Sequence, residues 1–212
     1  MKKSCHFGIV AAAALVAATA FATQACANPF NWFGQPWFGY GPPTDNGNQV
    51  RADLRRGVVD FRTNEAPGTI IIDTANTYLY LVLPSGQAIR YGIGVGREGF
   101  TWSGVKTIER KAEWPDWTPP PEMIARSPYL PRFTAGGEGN PMGARAMYLS
   151  GSMYRIHGTN APWSIGSRAT SGCIRMVNDD VIDLYNRVKV GTKVVVLPAT
   201  ERRATAGFGL FN

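Results

Sequence analysis

Two side chains in this sequence have the types needed for nucleophilic chemistry. His157 and Cys173 stand 173 − 157 = 16 positions apart. A thiol becomes a nucleophile when a base within hydrogen-bond reach takes its proton, and imidazole titrates in the right range for that task. A lone cysteine also admits three other readings: a small apolar core residue, half of a disulfide, or a metal ligand.

The N-terminal segment narrows these. Lys2 and Lys3 precede an apolar, alanine-rich run from about Ile9 to Phe21, and Ala25-Cys26-Ala27 offers small residues at the cleavage positions of a secretory signal. The expectation is an exported, periplasmic protein with residues 1–27 removed as a signal peptide. The alternatives are an uncleaved anchor and, less in keeping with Thr23 and Gln24, a lipoprotein signal at Cys26. Cleavage removes Cys5, Cys26 and His6, leaving one cysteine and one histidine of the original three and two. One cysteine cannot form an intramolecular disulfide, and one cysteine with one histidine falls short of the three or four ligands of a zinc site. No metal and no cofactor is expected.

Loss of the two lysines takes the formal charge from +7 to +5. That excess reads first as scattered surface charge and suits a carboxylate-rich partner or an anionic envelope. With no Lys/Arg-dense run interleaved with aromatics, nucleic acid is not an expected partner. Other nucleophile and phosphate motifs are missing: there is no Gly-x-Ser-x-Gly, no Gly-x-x-x-x-Gly-Lys and no His-Glu-x-x-His.

The elements that must position the pair follow from pattern. Residues 28–65 open with "NPFNWFGQPWFGYGPP", aperiodic and broken by Pro36, Pro42 and Pro43, and are read as a spacer. "DLRRGVVDF" after it is read as a short helical turn or irregular lead-in. Regular structure is expected from near Thr69, where "TIIID", "YLYLVL" and "AIRYGIGVG" form a meander, with another strand over 105–114. Residues 115–143 hold seven prolines and are expected to be a long irregular loop bordering a site. "AMYLS" and "MYRIHG" predict a hairpin about Gly151 that leaves His157 at a strand end, followed by a loop to Cys173. Asn178-Asp179-Asp180 predicts a helix N-cap and acidic first turn. Val181, Leu184, Tyr185 and Val188 then form an apolar stripe, Gly191 ends the helix, and "KVVVLP" supplies a last strand. The fold class is mainly β over residues 66–198, with a disordered tail at 199–212.

The residues around the pair carry more information than their spacing. "IHGTNAPWSIGSRATSGCIRM", residues 156–176, resembles the signature of the YkuD-type L,D-transpeptidases, in the branch with His-Gly-Thr and Ser-x-Gly-Cys-Ile-Arg-Met. Further similarity covers Gly94 to Arg97, Asp116 to Ile124 and Gly139 to Leu149. The resemblance implies a β-sandwich or barrel-like domain of mixed short strands, with one or two short helices and a long Pro-rich loop. It implies a peptidoglycan L,D-transpeptidase acting on tetrapeptide stems. Cys173 would attack the L-centre carbonyl of the third residue, meso-diaminopimelate, and release D-alanine. An amine then resolves the thioester, either from another stem or from an outer-membrane protein or lipoprotein. Carbapenem-type inhibitors are expected to acylate the same thiol.

Carried over by position, His157 is the proton donor and acceptor, oriented by the carbonyl of Gly158. Amides around Ser171, Gly172 and Cys173 would hold the oxyanion. Arg175 either binds a stem carboxylate or supports the cysteine loop through a salt bridge. Trp163 packs beneath the loop or stacks on substrate, and Thr159 and Asn160 shape the loop or contact the stem. Two departures stand out: Ser171 replaces the histidine many members carry, and Thr101-Trp102-Ser103-Gly104 replaces Thr-Pro-x-Gly. The alternatives are a hydrolase on the same acyl-enzyme and a non-catalytic wall-binding module. A papain-like peptidase is disfavoured, because there the cysteine precedes the histidine.

Overall fold

The computed structural model describes residues 50–199. The expectations for the signal segment, for the aromatic part of the spacer and for residues 200–212 of the tail fall outside it. Within it the chain is mainly β. A 3-10 turn at Ala52–Leu54 leads to β1 (Gly57–Asp60), β2 (Ile70–Asp73), β3 (Tyr78–Val82), β4 (Gln87–Gly92) and β5 (Val95–Gly96). After β6 (Gly104–Glu113) come α1 (Pro121–Arg126), β7 (Arg145–Leu149), β8 (Arg155–His157), β9 (Arg168–Thr170) and β10 (Ile174–Arg175). The last elements are α2 (Asn178–Arg187) and β11 (Lys193–Val196).

Nine strands join in the order β1-β4-β3-β2-β11-β6-β7-β8-β10, while β5 and β9 pair separately. The long strand β6 serves both halves. It pairs with β11 at its start and with β7 towards its end, and the register shifts between Ile108 and Arg110. The apolar faces of the two halves meet in one core: Ile70, Leu79 and Ile89 from one, Met147, Ile156 and Ile174 from the other. Val181, Leu184 and Val188, the stripe of α2, close that core, with Tyr185 partly buried beside them. Period-2 alternation and a helical stripe thus converge on one buried interior.

Strands β2 and β3 are buried on both faces. Ile70, Ile72, Leu79 and Leu81 face the main core, and Ile71, Tyr78, Tyr80 and Val82 face a second cluster. That second face is covered by Leu54, Phe61 and Ile165. The folded unit therefore reaches back upstream of residue 66: the expected spacer includes a strand, β1, which pairs with β4 from Gly57↔Arg90 to Asp60↔Gln87. A sheet with two apolar faces needs two covers, and the lead-in is one of them.

Two other expectations are revised. The stretch between His157 and Cys173 is not all loop, since Pro162–Ser164 is a 3-10 turn and Arg168–Thr170 is β9. Asn178 does not cap α2 with its side chain. Its Oδ1 instead accepts from the main-chain N–H of Ala144 at 2.9 Å and of Thr159 at 3.3 Å. A side chain already holding two amides from other segments is not available to its own helix.

Candidate active site

The positions of His157 and Cys173 follow from one strand pairing. β8 and β10 run parallel, with Ile156 opposite Ile174 and His157 opposite Arg175. Ile156, Ile174 and Met176 are buried in the core. By alternation, His157, Arg175 and Cys173 project from the opposite face. Cys173 sits directly before β10, two residues ahead of Arg175, the residue paired with His157. Hydrogen bonds from Met176 N to His157 O (2.9 Å) and in both directions between Gly94 and Arg175 (2.8 and 2.9 Å) fix this register on two sides.

His157 is buried at 6% exposure. Its Nδ1 lies 2.6 Å from the carbonyl oxygen of Gly158. A carbonyl only accepts, so Nδ1 carries the proton and Nε2 keeps its lone pair. Burial, followed by the charges of Arg175 and Arg155, lowers the ring from 6.5 to about 3, although the Gly158 and Met142 carbonyls favour the charged form. The imidazole is therefore neutral near neutral pH and ready to accept a proton. The turn that holds it is tight. Gly143 and Gly158 pack against each other and against Asn178 Oδ1, leaving no room for a side chain at either position.

Cys173 is a free, half-buried thiol. Its loop is built by Thr170, whose hydroxyl donates to the Cys173 carbonyl at 2.7 Å and accepts from the Gly172 N–H at 3.2 Å. Gly172 adopts φ +103, and the ring of Tyr154 occupies the space where a Cβ would stand. Trp102 stacks on Tyr154 with centroids 4.7 Å apart and planes 5° from parallel, and its Nε1–H donates to the Gly172 carbonyl at 2.8 Å. Trp102 and Tyr154 thus brace the Cys173 loop from outside the motif. The sequence signal was the departure at Trp102 itself, which marks a changed neighbour but not which loop it touches.

Arg175 is 8% exposed, and its Nη1 donates to Ser164 Oγ at 2.9 Å. Burial lowers its guanidinium to about 10, still cationic at neutral pH, while a negative Cys173 sulfur favours the charge. Through Ser164 this buried cation ties the Pro162–Ser164 turn to β10. Thr159 is buried and accepts from the Ala161 N–H at 2.9 Å. Exposed Asn160 donates to the Gly139 carbonyl at 3.0 Å, fastening the end of the Pro-rich loop. Trp163, 39% exposed, stands apart from the main cores. Ser171 Oγ lies 3.5 Å from Arg126 Nη2 at the end of α1. Among the described residues no group of three His, Cys, Asp or Glu side chains is placed to hold a metal, and no helix is long and apolar enough to cross a membrane.

A buried neutral imidazole ending β8 and a free thiol directly before its partner strand β10 are the groups a cysteine acyl-transfer site would need. Residues 67–196 match the YkuD family, described as the L,D-transpeptidase catalytic domain, and the chain belongs to that family. The probable L,D-transpeptidase ErfK/SrfK of Escherichia coli K12 is 42% identical over 137 residues, covering 60% of this chain and 43% of the relative. The chain thus spans less than half the length of that relative. The NMR structure of the catalytic domain of an E. faecium L,D-transpeptidase shares the fold at TM-score 0.50 and 18% identity, covering 64% of this chain and all of that domain.

A crystal structure from Brucella melitensis, titled a probable carnitine operon oxidoreductase, is 49% identical with TM-score 0.47, covering 72% of this chain and 99% of that one. Residues Gly94 to Gly99 here do have the Gly-x-Gly-x-x-Gly spacing of a dinucleotide loop. They open no helix, however: Val95–Gly96 is β5, paired with β9, and the next element is β6. The strand–loop–helix context that gives the spacing its phosphate-binding meaning is not formed.

Proposed function

We propose that this protein is an exported peptidoglycan L,D-transpeptidase working through a Cys173 thioester. The observation that supports the reading is the β8–β10 pairing, which brings the strand ending at His157 beside the strand that follows Cys173, within this family's domain. In acylation, Nε2 of His157 takes the thiol proton as Sγ bonds to the L-centre carbonyl carbon of the third stem residue. The carbonyl oxygen gains the negative charge, and the amide of Cys173, with that of Ser171, stabilises it. The Gly172 N–H contributes less, since Thr170 Oγ1 already accepts from it. Collapse breaks the C–N bond, and His157 returns the proton to the leaving amine of D-alanine. In the second half, an acceptor amine attacks the thioester and loses its proton to His157. The C–S bond breaks and Cys173 regains the proton.

The acceptor amine comes from a second stem or from an outer-membrane protein or lipoprotein, and a carbapenem acylates the same sulfur. The test is mass spectrometry of products from a purified disaccharide tetrapeptide. Crosslinked dimer supports transpeptidation; tripeptide alone moves the assignment to hydrolysis of the same acyl-enzyme. Unchanged substrate, with Cys173 inert to a carbapenem, overturns both.

A further inference from the structure

At the edge of the cysteine loop, two guanidiniums lie against one aromatic ring. Arg97 Cζ lies 4.4 Å from the Phe100 ring centroid and Arg126 Cζ lies 5.1 Å from it. The two arrive from distant segments. Arg97 follows β5, and its N–H donates to the Thr170 carbonyl at 3.0 Å, which fixes it against the strand preceding the nucleophile. Arg126 ends α1 and reaches Ser171 Oγ at 3.5 Å, two residues before Cys173. Both side chains are exposed, and neither forms an ion pair among the described residues.

Two like charges gathered at one ring repel, and contact with the ring offsets only part of that. Each fork keeps donors open to solvent, in the planar geometry that suits a carboxylate. The short side chain at Ser171 leaves Arg126 room beside the loop. We propose that Arg97 and Arg126 form a carboxylate-binding site that holds a free carboxylate of the donor stem next to Cys173. Resting on the transpeptidase reading, this adds a determinant of donor choice. Two groups of the stem share the chemistry, the side-chain carboxylate of the third residue and the C-terminal carboxylate of the fourth.

The experiment measures binding and turnover separately. Binding of a tetrapeptide stem, and of two analogues each amidated at one of these carboxylates, is followed calorimetrically on the full chain carrying Cys173→Ala. The same chain with Arg97→Gln and Arg126→Gln added is compared. The double replacement is expected to weaken binding of the unmodified stem roughly tenfold, as the loss of a charge-assisted fork would. It should have no further effect on the analogue lacking the responsible carboxylate, and that analogue identifies the source. Alkylation of Cys173 by neutral iodoacetamide in the Arg97→Gln, Arg126→Gln chain should stay at the rate of the unaltered chain, showing an intact loop. Equal binding with and without the arginines, an equal loss on all three ligands, or no stem binding overturns the carboxylate site. Arginine-dependent binding with no D-alanine released by the unaltered chain sustains the site and overturns the transpeptidase reading alone.

Discussion

His157 Nδ1 and the carbonyl of Gly158, 2.6 Å apart, belong to adjacent residues, so the imidazole is oriented by its own main chain. No carboxylate is needed to choose the tautomer, because a neighbouring carbonyl accepts from Nδ1–H and leaves the lone pair on Nε2. Replacing His157 by Ala should lower acylation by about 10²–10⁴-fold, the usual contribution of a positioned base, and Cys173→Ala should abolish it. Stopped-flow acylation by a carbapenem, with intact-protein mass spectrometry, measures both. Wild-type crosslinking by Cys173→Ala would falsify the thioester mechanism.

In the proposed mechanism His157 would also set the acid side of the rate profile. Its ring is lowered from 6.5 to about 3 by burial and by Arg175 and Arg155. The base therefore stays unprotonated well below the usual histidine range, and the acylation rate should show no histidine inflection near pH 6.5. Rates measured between pH 4 and pH 8 check this; an acid limb centred on 6.5 would mean a solvated imidazole.

Stability responds to pH through the same ring and through Asp180. For His157 the folded pKa lies below the unfolded one, so the unfolded chain binds the extra proton. Its contribution is complete above about 6.5 and is lost as pH falls towards about 3. Asp180 has the opposite sign: burial raises it from 3.8 to about 6, so its contribution is present below 3.8 and lost as pH rises through 6. Urea midpoints should therefore fall with acidification less steeply in the native chain than in Asp180→Asn, which lacks the opposing group.

Trp102 is predicted to matter to rate more than its distance from the motif suggests. Trp102→Phe keeps a ring against Tyr154 but loses the donor to the Gly172 carbonyl. The expected outcome is a decrease in kcat of roughly tenfold, matching the one to two kcal/mol of a hydrogen bond that positions a catalytic loop. Carbapenem acylation rates on this variant and on Trp102→Ala, alongside thermal melts, separate loop positioning from global loss of stability.

Leu54 tests the upstream boundary of the fold. It is 2% exposed, belongs to the cluster containing Ile165, and lies against Gly166. Leu54→Ala should cost about 2–4 kcal/mol in urea unfolding, the range for a buried leucine whose site only partly collapses. A change under about half a kcal/mol would place Ala52–Leu54 outside the cooperative unit.

Much of the molecule is legible in the chain itself. Short β-branched runs with turn residues between them mark the meander, the spacing of Val181, Leu184 and Val188 marks α2, and the signature around residues 156–176 marks the thiol and imidazole. Other features are not legible, because their partners are far apart in sequence. Trp102 meets Gly172 across 70 positions, and Asn178 meets Ala144 across 34. Asn178 shows the competition directly: its local pattern reads as a helix cap, yet two amides from other segments claim its oxygen.

By itself, then, the sequence determined which side chains could do chemistry and that most of the chain would be strand, since residue type and hydrophobic period are local properties. Only the tertiary structure decided that β8 and β10 lie parallel with Arg175 level with His157. It also decided that Leu54 covers the second face of the sheet and that Arg97 and Arg126 both lie against Phe100. The reason is physical: a strand's alternation says which residues share a face, but the neighbour that face meets is chosen by how the whole chain buries its apolar surface.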